Sequence, residues 1–240
     1  MQVDWEGSVN AHRVAPGLFR MGRREALTSA GWRRARADGV RTVVDLRSEP
    51  ERRPRATDPE VAGSALDGVA VVLVPTEDPA APGFADRFGP YLDTPAGYPD
   101  YVGLFGDRVA RAVAAVAHAP GAVVVHCSAG RDRTGLVVAL GQRAAGLGVD
   151  EVVAGWVAAA EGINAYHVDH HHPREAHLSG DAWDAFLRPR VEALVSFLTS
   201  LDAAALLAAQ GLSGADLDAV ARRFGGEEWA SRFMVESLFP

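Results

Sequence analysis

The residues best able to do chemistry in this 240-residue chain are ten in a row, His126-Cys127-Ser128-Ala129-Gly130-Arg131-Asp132-Arg133-Thr134-Gly135, and they hold its only cysteine. Ahead of them, Gly121 to Val125 reads as a buried strand; behind them, Gly135 to Ala145 reads as a helix. The segment is therefore strand, tight loop, helix, with Cys127 where the strand ends and Arg133 where the helix begins. A loop that curls into a helix N-terminus turns successive backbone N–H groups inward and makes a nest for an anion. The six amides from Ser128 to Arg133 are the expected lining. Gly130 permits a backbone conformation barred to bulkier residues, and Ala129 keeps the cradle narrow. Arg133 adds a planar fork that grips two phosphate oxygens at once, which a lysine does not imitate.

This points to attack on a phosphate ester. Only a thiolate attacks, and a helix N-terminus with a neighbouring cation stabilises the ionised form of a thiol that is otherwise mostly protonated at neutral pH. The Thr134 hydroxyl is placed to donate to the sulfur. The same donors then stabilise charge on the equatorial oxygens during transfer. The product of attack is a phosphocysteine, which water hydrolyses. Neither step calls for a metal or cofactor.

Cys-x5-Arg-Thr with a preceding His is the signature of the cysteine-dependent protein tyrosine phosphatase superfamily, and the chain resembles its branch of bacterial tyrosine and lipid phosphatases, of the mycobacterial PtpB type. The resemblance extends to Gly17-Leu18-Phe19-Arg20 with Leu27-Thr28, and to the run Gly39-Val40-Arg41-Thr42-Val43-Val44-Asp45-Leu46-Arg47-Ser48. It is good from about residue 17 to 163 and thin afterwards. Two departures stand out, Arg131 for the usual Lys and Met21 for the usual Ser. The resemblance implies phosphotyrosine hydrolysis, with phosphoserine, phosphothreonine and phosphoinositides as further substrates.

A leaving phenoxide or alkoxide needs a general acid, and three aspartates compete. Asp132 lies in the loop, and the resemblance favours it because this branch lacks the usual Trp-Pro-Asp lid. Against it, the flanking Arg131 and Arg133 are expected to lower its pKa and disfavour the protonated form it must hold. Asp78, in Pro75-Thr76-Glu77-Asp78-Pro79, opens a loop where other branches carry their acid; Asp45 fits better as a residue that pins a loop by hydrogen bonding. His126 is placed to brace the cradle from behind.

The elements that must position these groups can also be read. Thr28 or Ser29 caps a helix through Ala37, stopped by Asp38-Gly39; Val40 to Leu46 and Val69 to Val74 read as buried strands, and Gly17 to Gly22 as a short one. Helix alternating with apolar strand is the pattern of a parallel α/β sheet. From Asp78 to Pro99 the chain is rich in Pro, Gly, Ala and Asp and reads as a mobile loop of lid length. Helices are expected over about 100–118, over Glu151 to Ala160 with Asp150 as cap, and near 181–200, 201–210 and 214–224. The expected fold is α/β: a mostly parallel central sheet flanked by helices, as in protein tyrosine phosphatases, in a single domain over 1–240. Its core spans about 17–163 and a helical C-terminal elaboration about 178–240.

Composition bounds the rest. A hydrophobic content of 48% and a charged content of 23% are ordinary for a globular protein, and a net charge of −7 argues against nucleic-acid binding. One cysteine excludes an internal disulfide and favours a reducing, cytoplasmic setting; no signal peptide or membrane span is visible. Arg131, Arg47, Arg52, Arg53 and Arg55 are candidates to receive a second phosphate, against the alternative of a solvated arginine loop. His167, His170, His171, His172 and His177 read as a polar surface loop rather than a metal site, and Trp5, Trp32, Trp156, Trp183 and Trp229 as packing residues. Rival readings are a phosphate-binding module without turnover, sulfur transfer of the rhodanese kind, and a small-metabolite phosphatase with the same loop.

Overall fold

The computed structural model describes residues 1–225 apart from Pro173; Trp229 and the last stretch of the expected C-terminal elaboration lie outside the described residues. Five strands form one sheet in the order β1-β2-β5-β3-β4: β1 His12–Ala15, β2 Leu18–Met21, β3 Val40–Asp45, β4 Ala70–Leu73 and β5 Ala122–His126. Only the β1–β2 pair is antiparallel. This is the expected mostly parallel α/β sheet flanked by helices.

Strand alternation sends side chains to two cores. Phe19, Met21, Val43 and Val124 join Trp5, Leu27 and Trp32 on one face, under helix α1 (Ser29–Ala37). Leu18, Val44, Val123 and Val125 face the larger core, built with α3 (Tyr98–His118), α4 (Asp132–Ala144), α5 (Val149–Tyr166), α6 (Gly180–Ser200), α7 (Ala203–Ala209) and α8 (Gly214–Phe224). The Thr28 side chain accepts from the Gly31 N–H, so the expected cap of α1 is formed. Among the described residues no single helix is long and apolar enough to cross a membrane.

The sheet decides where chemistry can gather. Met21, His126 and Asp45 lie side by side at the carboxyl ends of β2, β5 and β3. The segments that leave these strands and β4 therefore emerge on one edge, where ligands of open α/β sheets bind.

Three expectations are corrected, and one strand is new. The strand at Val69 to Val74 is not buried: β4 is the sheet's edge, and Val71, Val72 and Leu73 are 38%, 40% and 50% exposed. An apolar run does not tell a strand covered on both faces from one at an edge. The 78–99 segment is pinned rather than loose, because it contains α2 (Phe84–Phe88) and buries Phe84, Phe88 and Leu92. Phe84 packs on Phe105 and Phe88 on Tyr101, with ring centroids 5.9 and 5.4 Å apart. Helix α5 starts after Gly148 and runs on to Tyr166, with Gly162 passing so close to Asn10 that a side chain there has no room. Strand β1 was not expected; His12-Arg13-Val14-Ala15 carries no apolar alternation.

Candidate active site

The loop between β5 and α4 owes its shape to what holds its carbonyls. His126 Nδ1 donates to the Cys127 carbonyl at 3.0 Å, the only role open to it because a carbonyl only accepts. The Arg23 N–H holds Ser128 O at 2.9 Å, and Asn10 Nδ2 holds Ala129 O at 3.0 Å. Arg20 Nη2 reaches Gly130 O at 2.7 Å and Arg131 O at 3.1 Å, and the Tyr98 hydroxyl donates to Asp132 O at 2.9 Å. Six consecutive carbonyls, from Cys127 to Asp132, are thus engaged outside the loop. In a planar trans peptide N–H and C=O point opposite ways, so the amides between them are left facing the hollow.

Gly130, at φ +73°, makes the turn, and a Cβ there meets the Met21 carbonyl carbon and oxygen at 2.5 Å. We expect Gly130→Ala to cost about 2–4 kcal/mol and to weaken oxyanion binding more than Ala129→Gly does. Paired thermal melts and tungstate titrations measure both.

A narrow cavity of about 30 Å³ lies over the loop, lined by Cys127, Ser128, Ala129, Asp132 and Arg133 together with Tyr91, Leu92, His172 and Glu175. Cys127 is a free thiol, 3% exposed. Arg133 is held by two carboxylates: Nη1 and Nη2 each donate to Glu51 at 2.6 Å, and Nη1 donates to Glu77 at 2.8 Å. Among the described residues these contacts leave Nε–H and the second Nη2–H without a protein acceptor. That pair is the side of a guanidinium that grips two oxygens of one phosphate. Glu51 sits in a 3₁₀ turn, Glu49–Arg52, where the Ser48 N–H and hydroxyl also bind its carboxylate. Burial pushes the Glu51 carboxyl up, but Arg133 and Ser48 outweigh it and hold it below the ordinary value; at Glu77 burial wins, and the carboxyl is raised.

A sequence profile of the tyrosine phosphatase family matches residues 6–224. The chain belongs to that family. It is a cysteine-dependent phosphatase, and its substrates are phosphorylated. Among solved structures, TpbA of P. aeruginosa is similar at 18% identity over 85% of this chain and 92% of that one, with a TM-score of 0.36. The catalytic core of the PP-IP phosphatase SIW14 of S. cerevisiae, bound to citrate, is similar at 13% identity over 80% and 91%, with a TM-score of 0.40. A cysteine-to-serine variant of TpbA in complex with phosphotyrosine gives 17% identity, 89% and 96% coverage and a TM-score of 0.39. No curated protein matches the chain.

In this phosphatase the three aspartates have different surroundings. Asp132 is 5% exposed and lines the cavity; one oxygen accepts from Arg131 Nε at 2.9 Å, and Oδ1 is buried with no hydrogen-bond partner among the described residues. Burial pushes its carboxyl up more than Arg131 pulls it down, so the expected lowering by flanking arginines is reversed. Arg133, the other flank, is turned to Glu51 and Glu77 instead. Asp78 does not line the cavity: it caps the Ala80 N–H at 3.0 Å and pairs with Arg108 at 3.5 Å. Asp45 is fully buried and binds Arg47 through both oxygens, which fits its expected part in pinning a loop.

Three further expectations are corrected by the geometry. Arg47 does not face a ligand; it is 1% exposed and spends its guanidinium on Asp45, Glu25 and the Glu51 carbonyl. Arg131 adds no free charge at the mouth, since it pairs with the Glu175 carboxylate and donates to Asp132 beside the Phe186 ring. Thr134 Oγ1 is buried without a hydrogen-bond partner among the described residues, so the expected donation to sulfur is not formed.

Residues the sequence did not assign to the site complete it. Glu51 and Glu77 follow β3 and β4, in segments read for their arginines and for Asp78 rather than for these glutamates. Tyr91 and Leu92 come from the segment read as loose, and His172 and Glu175 from the histidine-rich stretch. His172 Nδ1 accepts the Glu175 N–H at 3.1 Å, so this histidine shapes the cavity wall. No group of three or more metal-ligating side chains occurs among the described residues.

Proposed function

We propose that this phosphatase hydrolyses phosphotyrosine through a phosphocysteine on Cys127. The Cys127 sulfur attacks phosphorus; the amides from Ser128 to Arg133 and the free side of Arg133 take the equatorial oxygens; Asp132 gives its proton to the departing phenolic oxygen. Water then attacks the phosphocysteine, with Asp132 receiving a proton and Cys127 released as thiolate. His126 and Asp45 hold the frame and touch no substrate. The observation that carries this reading is the outward tethering of six consecutive carbonyls around a lone cysteine.

Tyr91 and Leu92 favour an aromatic ester, because they give the mouth a flat apolar wall against which a phenyl ring packs. A phosphoinositide finds less to hold it. Arg47 and Arg131 are committed to carboxylates, which leaves Arg53, Arg55 and Arg174 as exposed cations. A reducing setting such as the cytoplasm suits an enzyme that depends on its only thiol.

The test is a panel of phosphotyrosine and phosphoserine peptides, phosphoinositides and sugar phosphates. A phosphoinositide or sugar phosphate turned over faster than any phosphotyrosine peptide overturns the substrate assignment. The proton donor is tested alongside. Asp132→Asn is expected to slow esters with poor leaving groups by roughly a hundred- to ten-thousandfold and p-nitrophenyl phosphate far less. Because its carboxyl is raised, the protonated donor persists to higher pH than an ordinary aspartate allows, and kcat falls as pH rises past it. Asp132→Asn flattens that fall; Asp78→Asn leaves it intact.

A further inference from the structure

We infer that Arg20 is a positioning residue of this phosphatase: its buried guanidinium fixes the aim of two cradle amides and supplies the anion site with a positive charge that has no carboxylate in ion-pair contact among the described residues. The inference rests on the phosphate-cradle reading above and deepens it. Alternation along β2 sends Arg20 to the same face as Leu18, beneath the loop, where it is 3% exposed. Nη2 donates to Gly130 O at 2.7 Å and Arg131 O at 3.1 Å, Nε to Gly130 O at 3.3 Å and Nη1 to Gly155 O at 3.4 Å. Every acceptor is a backbone carbonyl.

The other buried arginines of the site are different. Arg23 pairs with Asp58, Arg47 with Asp45 and Glu25, Arg131 with Asp132 and Glu175, and Arg133 with Glu51 and Glu77. Among the described residues Arg20 has no carboxylate within ion-pair distance. A buried cation without a counter-ion is costly, and it is tolerable where negative charge arrives from another source. Here that source is the thiolate and the phosphate on the far side of the same peptides.

The clamp has a defined geometric effect. The Gly130 carbonyl shares a peptide plane with the Arg131 N–H, and the Arg131 carbonyl with the Asp132 N–H. Holding both oxygens outward aims both N–H groups at the hollow, and a cation on the oxygens polarises those donors further. The reach of the charge is visible nearby: burial and then Arg20 push the His12 imidazole down to about 4.

The experiment uses the full chain with Arg20→Met and Arg20→Lys. Tungstate affinity is measured in a Cys127→Ser background, p-nitrophenyl phosphate kinetics in the native one. The ratio of iodoacetate to iodoacetamide reaction rates reports the field at the chain's only thiol. Arg20→Met is expected to lose about tenfold or more in tungstate affinity and to lower the iodoacetate preference. Arg20→Lys is expected to keep that preference and lose part of the affinity, since one ammonium does not hold both carbonyls as the fork does. A folded Arg20→Met that binds tungstate and selects iodoacetate as the native protein does overturns the inference. If Arg20→Met fails to fold, Arg20→Lys decides, and native tungstate affinity in it overturns the clamp. Failure of the phosphate-cradle reading looks different, because the native protein then neither binds tungstate nor hydrolyses p-nitrophenyl phosphate.

Discussion

Cys127→Ser is expected to lower hydrolysis of p-nitrophenyl phosphate by roughly ten-thousandfold or more while leaving phosphate and tungstate binding close to native. The loss follows from the nucleophile alone, since a serine hydroxyl is far less acidic than a thiol and a much weaker nucleophile in the same place. Binding survives because the loop keeps its shape from the outside. Its carbonyls are held by His126, the Arg23 N–H, Asn10, Arg20 and Tyr98, and none of these contacts uses the sulfur. The measurement is a rate assay paired with calorimetric titration of tungstate. Equal rates in the two proteins would end the covalent reading, and loss of binding together with rate would mean the sulfur shapes the cradle.

Arg133→Lys is expected to cost roughly a hundred- to a thousandfold in kcat/KM, although the charge is kept. Arg133 meets three demands at once: Glu51 on both terminal nitrogens, Glu77 on Nη1, and two further N–H groups for a phosphate. An ammonium has three donors and no plane, so it cannot satisfy both carboxylates and still present a fork. Glu51 and Glu77 then sit beside the incoming dianion with less cation to offset them. The steady-state split is diagnostic. KM should rise and kcat should fall, because the fork serves both bound substrate and transition state. A native kcat with only KM altered would place Arg133 in ground-state binding alone.

Much of the fold was legible because the signals were local. Val40-Arg41-Thr42-Val43-Val44 and Ala122-Val123-Val124-Val125 carry strand propensity, Thr28 carries a cap, and α6, α7 and α8 begin and end within a few residues of expectation. Local signals do not say which strand lies at an edge, so β4 was misjudged. At the site, Cys127, Arg133 and the intervening loop stand in one continuous string and were read from it. Glu51, Glu77, Tyr91, His172 and Glu175 come from segments after β3, β4, α2 and α5, and only the tertiary fold brings them to Arg133 and the cavity. Charge pairing was equally hidden. Arg47 and Arg131 look like free cations in sequence and are bound to partners up to 44 residues away. Asp132 shows the same limit, since neighbours in sequence argued for a lowered carboxyl and enclosure by the fold raised it.

The external tethering of the loop also determines when its order is established. The contacts that hold it span 110 residues from Arg20 to Gly130 and 119 from Asn10 to Ala129, so they form with the tertiary structure and not with the loop itself. Each encounter with an oxyanion therefore meets a surface already in its final shape, and little flexibility is surrendered on docking. Heating should leave oxyanion affinity nearly unchanged up to the cooperative transition and abolish it there, with no separate earlier melting of the loop.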